Sequence, residues 1–292
     1  MPFFLSSEFD RDAPVADGQN PPVLGQFLAA ARLHSPLAAQ QLGLAGELTA
    51  ISLRHARVGS AWAPHLAASR EMILEGARRC ARHGWALIIG AGDGRDVPVK
   101  ELAERFELTV LADIVVSRTA LNLARSNPGR VVCQPWDATG AIAELARRRN
   151  TISASEAVSL FERAKPEPLP GMEPDLVVSA NCLSQLGLIH SNAVPAAKAN
   201  PGLADRCARV AACSHLRWMA QRSGTRVLIG DIARLDIAPD GHLLRREEWL
   251  QHLPLRPPDR IWRWNLAPIP EWSPDFHRVH EVGAWVETRP GI

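Results

Sequence analysis

In Leu87-Ile-Ile-Gly-Ala-Gly-Asp-Gly-Arg-Asp-Val-Pro98 an apolar run stops abruptly in three glycines at alternate positions, Gly90, Gly92 and Gly94. The pattern reads as a strand entering a tight turn, where the backbone takes positive φ values and approaches a ligand with no Cβ in the way. Pro98 suits a first helical turn, and Lys100 to Phe106 carries helix formers. Strand, glycine turn and helix start together make a cradle for a nucleotide-like ligand, because backbone N–H groups and a helix N-terminus face it.

Downstream, strand and helix patterns alternate as they do in a parallel sheet. Strands are expected at Trp85 to Ile89, Leu108 to Asp113, Arg130 to Gln134, Asp175 to Ser179 and Thr225 to Asp231. Helices are expected over Leu102 to Phe106, Ser117 to Arg125 and about Pro201 to Arg222. Another runs from Thr139 to Ala164 in two pieces, with Thr151, Ser153 or Ser155 as the new N-cap before Glu156. The alternation then breaks. His242 to Leu253 reads as a helix, and the Trp-bearing stretches Arg260 to Leu266 and His277 to Val286 as extended segments paired antiparallel across a Pro-rich loop.

Upstream, Leu24, Phe27, Leu28 and Ala31, then Leu42, Leu44 and Leu48, fit amphipathic helices broken near Pro36 and Gly43, and a further helix is expected from His65 to His83. The expected organisation is an irregular arm over 1–20, a helical cap over 21–83 and an α/β domain over 84–292.

The 292 residues carry Lys+Arg 33 against Asp+Glu 31, a formal charge of +2 that calls for neither nucleic acid nor an anionic membrane as partner. The five cysteines are odd in number and form no C-x-x-C pair, which fits a reducing cytosol. The opening Met-Pro-Phe-Phe-Leu is too short for a signal peptide and no run reaches the length of a membrane span, so a soluble, cytoplasmic protein is expected.

The glycine turn fails the dinucleotide fingerprint, because the third small residue should fall where Arg95 stands. A phosphate-binding Walker loop fails as well, since no Gly-Lys-Ser/Thr follows. What remains is G-x-G-x-G, with Asp113 closing the second strand, Asp137 just after the third in Gln-Pro-Trp-Asp-Ala-Thr, and Ser179-Ala-Asn-Cys-Leu-Ser-Gln-Leu186 after the fourth.

In that ordered set the sequence resembles the class I S-adenosylmethionine-dependent methyltransferases. The resemblance implies a Rossmann-like, doubly wound, mostly parallel seven-stranded sheet with an antiparallel C-terminal strand. It also implies S-adenosyl-L-methionine as cofactor, contacted by Gly90, Ala91, Gly92, Asp93 and Gly94 on the turn. Asp113 would meet the ribose, Asp137 the adenine and Asn181 the region of sulfonium and substrate, with Ile114 and Ala138 as further cofactor contacts. One departure stands out: where the superfamily usually has an acidic residue two places before the first glycine, this chain has Ile88, and the nearest acids able to replace it are Asp93 and Asp96.

Each residue also has a plainer reading: Asp113 and Asp137 as helix caps, and Asn181 as a turn residue. Methyl transfer needs no universal catalytic residue, but a hydroxyl or amine acceptor benefits from a base, for which His190 is best placed. His215, His277 and His280 rank below it. Arg57, Trp62 and His65 could close over the cofactor or hold an acidic or aromatic substrate; the alternative is a helix junction with Trp62 buried and the basic residues solvated. The implied activity is methyl transfer to a small or medium-sized acceptor, with nucleic acid disfavoured by the absence of an Asp/Asn-Pro-Pro-aromatic segment. The rival readings are a non-catalytic protein keeping the fold, and a nicotinamide oxidoreductase, against which Arg95 speaks. Oligomeric state stays open.

Overall fold

Ala86, Leu87, Ile88 and Ile89 are all buried, so strand β1 (Trp85–Ile89) has apolar side chains on both faces and requires the middle of a sheet covered on both sides. The computed structural model, which describes residues 36–166, 173–187, 193–200, 202–249 and 253–288, places it there. Strand β2 (Leu108–Asp113) and strand β4 (Leu176–Ala180) flank it in parallel. Strand β3 (Val131–Pro135) lies beyond β2, and strand β5 (Thr225–Ile237) beyond β4, also parallel. Beyond β5 come strand β8 (His277–Glu287) and then strand β7 (Arg260–Ala267), so the main path of the sheet is β3-β2-β1-β4-β5-β8-β7. These last two strands pair antiparallel, and β8 runs antiparallel to β5. The chain moves outward in one direction after β1 and in the other after β4, which opens a crevice at the carboxyl ends of these two strands, the place where such sheets bind ligands.

Alternate side chains of the strands feed two cores. On one face Ala86 and Ile88 pack with Met72, Ile73 and Ala77 of helix α2 (Leu44–Arg79), and with Leu102 and Phe106 at helix α3 (Val99–Arg105). Ala120 of helix α4 (Arg118–Ser126) completes that layer. On the other face Leu87 and Ile89 pack with Leu145 of helix α5 (Ile142–Arg148) and Phe161 of helix α6 (Ala154–Arg163). Leu42, which ends helix α1 (Leu37–Gln41), and Cys207 of helix α8 (Leu203–Ala220) belong to the same core. A short helix α7 (Pro195–Ala199) precedes α8. Ser153 is the N-cap of α6 with a complete capping box to Glu156, as the Thr/Ser cluster implied.

The structure corrects the sequence reading in three places. The helices expected around Leu48 and from His65 onward are one element, α2, whose only non-helical residue is Val58 (φ −126°, ψ 20°), upstream of Pro64. The break turns the first half of α2 across the crevice while the second half lies on the sheet. The described residues between His242 and Leu253 hold no helix: Leu243–Glu248 is strand β6, paired antiparallel with the far end of β5. The sheet therefore has eight strands. Leu, Arg and Glu favour helix intrinsically, but here antiparallel backbone pairing with β5 holds the segment extended, and Arg246 reaches across β5 to Glu281 on β8 (3.0 Å). The helix turn expected from Leu24 to Ala31 and the arm over 1–20 lie outside the described residues. Among those described, no helix is long and apolar enough to cross a membrane.

Candidate functional site

The crevice is a cavity where the glycine turn, the ends of β2 and β4, and the first half of α2 meet. Gly90 and Ala91 donate their N–H groups to Ala112 O (2.9 and 3.3 Å), which ties the turn to β2. All three glycines have positive φ (74°, 49° and 70°), but their surroundings differ. A Cβ on Gly90 would lie 2.5 Å from Cys182 Cβ, and one on Gly94 would lie 2.6 Å from Leu123 Cδ1. A Cβ on Gly92 would meet only Leu48 Cδ1 at 3.7 Å. Gly90 is thus demanded by packing as well as by conformation, at Gly94 only the flexible end of Leu123 would have to shift, and Gly92 faces open space on the cavity side.

The turn places acids around that space. Asp113 ends β2 and accepts from Gly92 N (2.9 Å) and Val115 N (3.1 Å), so its carboxylate is fixed against the turn. Burial pushes its carboxyl above the usual range. Asp93 accepts from Ser52 Oγ (2.8 Å) and Arg95 Nε (3.1 Å). Asp96 accepts from Asn181 Nδ2 (2.6 Å), and burial pushes its carboxyl up too. Asn181 follows β4 with φ 52°, an uncommon conformation for a residue other than glycine, and its buried Oδ1 accepts no hydrogen bond from a described residue. Asp137 also lines the cavity, but it accepts from Thr139 N (2.8 Å), Thr139 Oγ1 (2.7 Å) and Ile142 N (2.8 Å), which makes it the organiser of the loop into α5.

The opposite wall comes from α2, whose Leu44, Glu47, Leu48 and Ile51 face the turn. Burial pushes the Glu47 carboxyl up to about 7, against the pull of Arg54. Trp62, His65 and Trp264 close one end. Trp62 is buried, donates Nε1–H to Leu266 O (3.0 Å) and meets Trp264 edge-on at 5.0 Å. His65 stacks on Trp264, with centroids 4.1 Å apart. Its Nδ1 lies 3.0 Å from Trp262 Nε1, and since an indole N–H only donates, Nδ1 must be the unprotonated nitrogen and Nε2 must carry the proton. Burial pushes His65 down to about 3. It is therefore a neutral hydrogen-bond donor, not a base.

Of the residues singled out in the sequence, Gly90, Ala91, Gly92, Asp93, Asp113, Ile114, Asp137, Ala138, Asn181, Trp62 and His65 share this one cavity. Gly94 does not reach it and serves the packing of the turn on α4. Arg57 points elsewhere: its guanidinium is held by Glu271, with Nη2 at 2.6 Å and Nε at 2.9 Å, in a fork that Arg54 joins. His190 lies outside the described residues. His215 is buried behind β4 with Nε2 3.0 Å from Ser179 Oγ, and burial pushes it down to about 4. His280 faces Asp231 (3.0 Å) away from the cavity. Ile88 sits in the core. Sequence reasoning missed Glu47 and Trp264, since nothing local marks a helix well upstream, or a strand near the C-terminus, as part of the cavity wall, whereas Gln185 lies in the quoted segment after the fourth strand.

Five carboxylates line the cavity, those of Glu47, Asp93, Asp96, Asp113 and Asp137, against one guanidinium, Arg95, which is itself tied to Asp93. Even with burial favouring the neutral forms of Glu47, Asp96 and Asp113, such a wall gives phosphates no unpaired cation of its own to meet and favours a ligand that brings hydroxyls and positive charge.

No protein-family profile matches the chain, and no characterised protein matches it in sequence. Among solved structures it is similar to the 1,6-didemethyltoxoflavin-N1-methyltransferase of Burkholderia thailandensis, crystallised with 1,6-didemethyltoxoflavin and S-adenosylhomocysteine. Identity is 18% over 88% of this chain and 93% of that one, with a TM-score of 0.33. The reading of the site accordingly rests on its own geometry.

Proposed function

We propose that the chain is an S-adenosyl-L-methionine-dependent methyltransferase acting on a small, largely apolar or aromatic acceptor. The observation that carries this is the acid-lined cavity on a G-x-G-x-G turn at the point where strand order reverses. A dinucleotide or nucleoside triphosphate would set its phosphates against those carboxylates, which argues against the oxidoreductase alternative. The residues present fit the cofactor: Asp113 offers a fixed carboxylate for ribose hydroxyls, Ile114, Ala138 and Ile142 offer apolar walls for a purine, and the side of Gly92 is open to a close-lying chain. Because Asp137 already receives three hydrogen bonds within its loop, its role at the adenine is mainly to hold Ala138 and Ile142 in place. When bound, S-adenosylmethionine supplies a methyl group on a sulfonium.

The protein's share is then to bind, orient and accept a proton. Trp62, Trp264 and the aliphatic residues of α2 exclude water and favour a flat acceptor. His65 can donate through Nε2. Glu47, poised near neutrality by burial, is the carboxylate placed to take a proton from an N–H or O–H acceptor. A second reading, a non-catalytic protein with the same cavity, is favoured by Ile88 packing into the core where an acid is usual.

Turnover separates the two. Labelled methyl transfer from S-adenosylmethionine into a panel of heteroaromatic and phenolic acceptors is expected with the wild type. In Glu47→Gln it should fall about 10²- to 10⁴-fold while S-adenosylhomocysteine still binds. Cofactor binding without transfer to any acceptor would favour the non-catalytic reading.

A further inference from the structure

We infer that Asp96 and Asn181 form a recognition site for a primary ammonium group, and that this chain anchors the amino-acid end of its cofactor there; this rests on the methyltransferase reading. The residue two before the first glycine, Ile88, is apolar and fully buried, so no acid is available at that position. Across the turn, Asp96 and Asn181 both line the cavity and are joined by a 2.6 Å hydrogen bond. With Asp96 ionised its carboxylate only accepts, so the Asn181 atom facing it is the amide nitrogen. Oδ1 is thereby left buried and, among the described residues, without a donor.

A buried acceptor left without a donor costs on the order of 1–3 kcal/mol, and Asn181 bears it in a left-handed backbone conformation that few residues other than glycine adopt. The orphaned acceptor is accounted for if a ligand supplies the missing donor, while the left-handed backbone is one that Asn tolerates better than most residues. The group that fits has several N–H bonds and a positive charge, since one carboxylate and one amide oxygen converge on it and Asp93 adds a second negative charge nearby. A neutral hydroxyl would satisfy the amide but would bring no positive charge to the buried Asp96 beyond the one Arg70 supplies without a hydrogen bond to it. Arg70, whose charge also acts on Asp96, donates to Arg95 O instead.

The test is calorimetric titration with three ligands: S-adenosylhomocysteine, its decarboxylated analogue, which keeps the ammonium, and 5′-methylthioadenosine, which lacks the amino-acid part. The proteins are the wild type, Asp96→Asn and Asn181→Gly, the last keeping the left-handed backbone without strain; thermal melts check that all three are folded. Both substitutions are expected to weaken the first two ligands roughly 10- to 100-fold and to change 5′-methylthioadenosine less than about twofold. Equal weakening of all three ligands, or no weakening of any, would overturn the ammonium site while leaving the cofactor assignment intact. Failure of folded wild type to bind any of the three would overturn the methyltransferase reading and this inference with it.

Discussion

Gly90 and Gly92 answer to different constraints, and alanine at each position separates them. Alanine at Gly90 forces a Cβ to within 2.5 Å of Cys182 Cβ and 2.9 Å of Ala180 O at positive φ. We expect a loss of about 2–4 kcal/mol in urea unfolding. Alanine at Gly92 has room and suffers only the left-handed conformation, about 1–2 kcal/mol, while its Cβ intrudes on the cavity side and weakens ligand binding. The opposite ranking of stabilities would contradict the placement of the turn.

Titration is also legible one residue at a time. His65 and His215 are neutral when folded, pushed down to about 3 and about 4, so the stability they contribute is present above pH 6.5 and lost as pH falls toward those values. Glu47, pushed up to about 7, works in the other sense: its contribution is present below pH 4.5 and lost as pH rises through 7. Glu47→Gln should therefore make the acid-side loss of stability steeper than in wild type between pH 7 and 4.5, by up to ~1.4 kcal/mol per pH unit. Parallel pH profiles for the two proteins would show that Glu47 is not buried against the turn.

Among the elements, those whose neighbours are close in sequence could be read from it. β1 and β2 fall where the apolar runs and the glycine turn place them, and Ser153 caps α6 as its spacing with Glu156 implies. The arm built from the ends of β5, β6 and β8 was not legible, because what holds it lies far away along the chain. Asp236 on β5 pairs in register with Arg278 on β8, through a buried double hydrogen bond of 2.9 and 3.2 Å, and the Arg278 guanidinium stacks 4.3 Å from Trp272. The same holds for Arg57, whose guanidinium is taken up by Glu271, a partner 214 positions further along the chain. Removing one member of a buried pair leaves the other charge stranded, so Asp236→Ala is expected to lower stability by about 3–5 kcal/mol, and Asp236→Leu with Arg278→Met by much less. Urea midpoints check this; similar losses in the single and double variants would contradict it.

At the scale of the molecule, α2 joins sheet and site. Its second half covers β5, β7 and β8, while its first half, turned at Val58, brings Glu47, Leu48 and Ile51 over the glycine turn. A ligand in the crevice therefore touches the helical layer and the sheet at once, and its binding should stabilise the whole fold; at a hundredfold excess over Kd the gain is about 2.7 kcal/mol. NADH and ATP, whose phosphates meet the carboxylate wall, should produce no thermal shift.

The central claim is that this crevice binds an adenosyl amino acid through the turn and Asp113, and calorimetric titration of S-adenosylhomocysteine into the wild type and Asp113→Asn tests it most directly. One-to-one binding in the micromolar range is expected for the wild type, weakened at least about tenfold by the substitution. A well-folded wild type that takes up no S-adenosylhomocysteine, or an Asp113→Asn protein that binds it as tightly, would contradict the account.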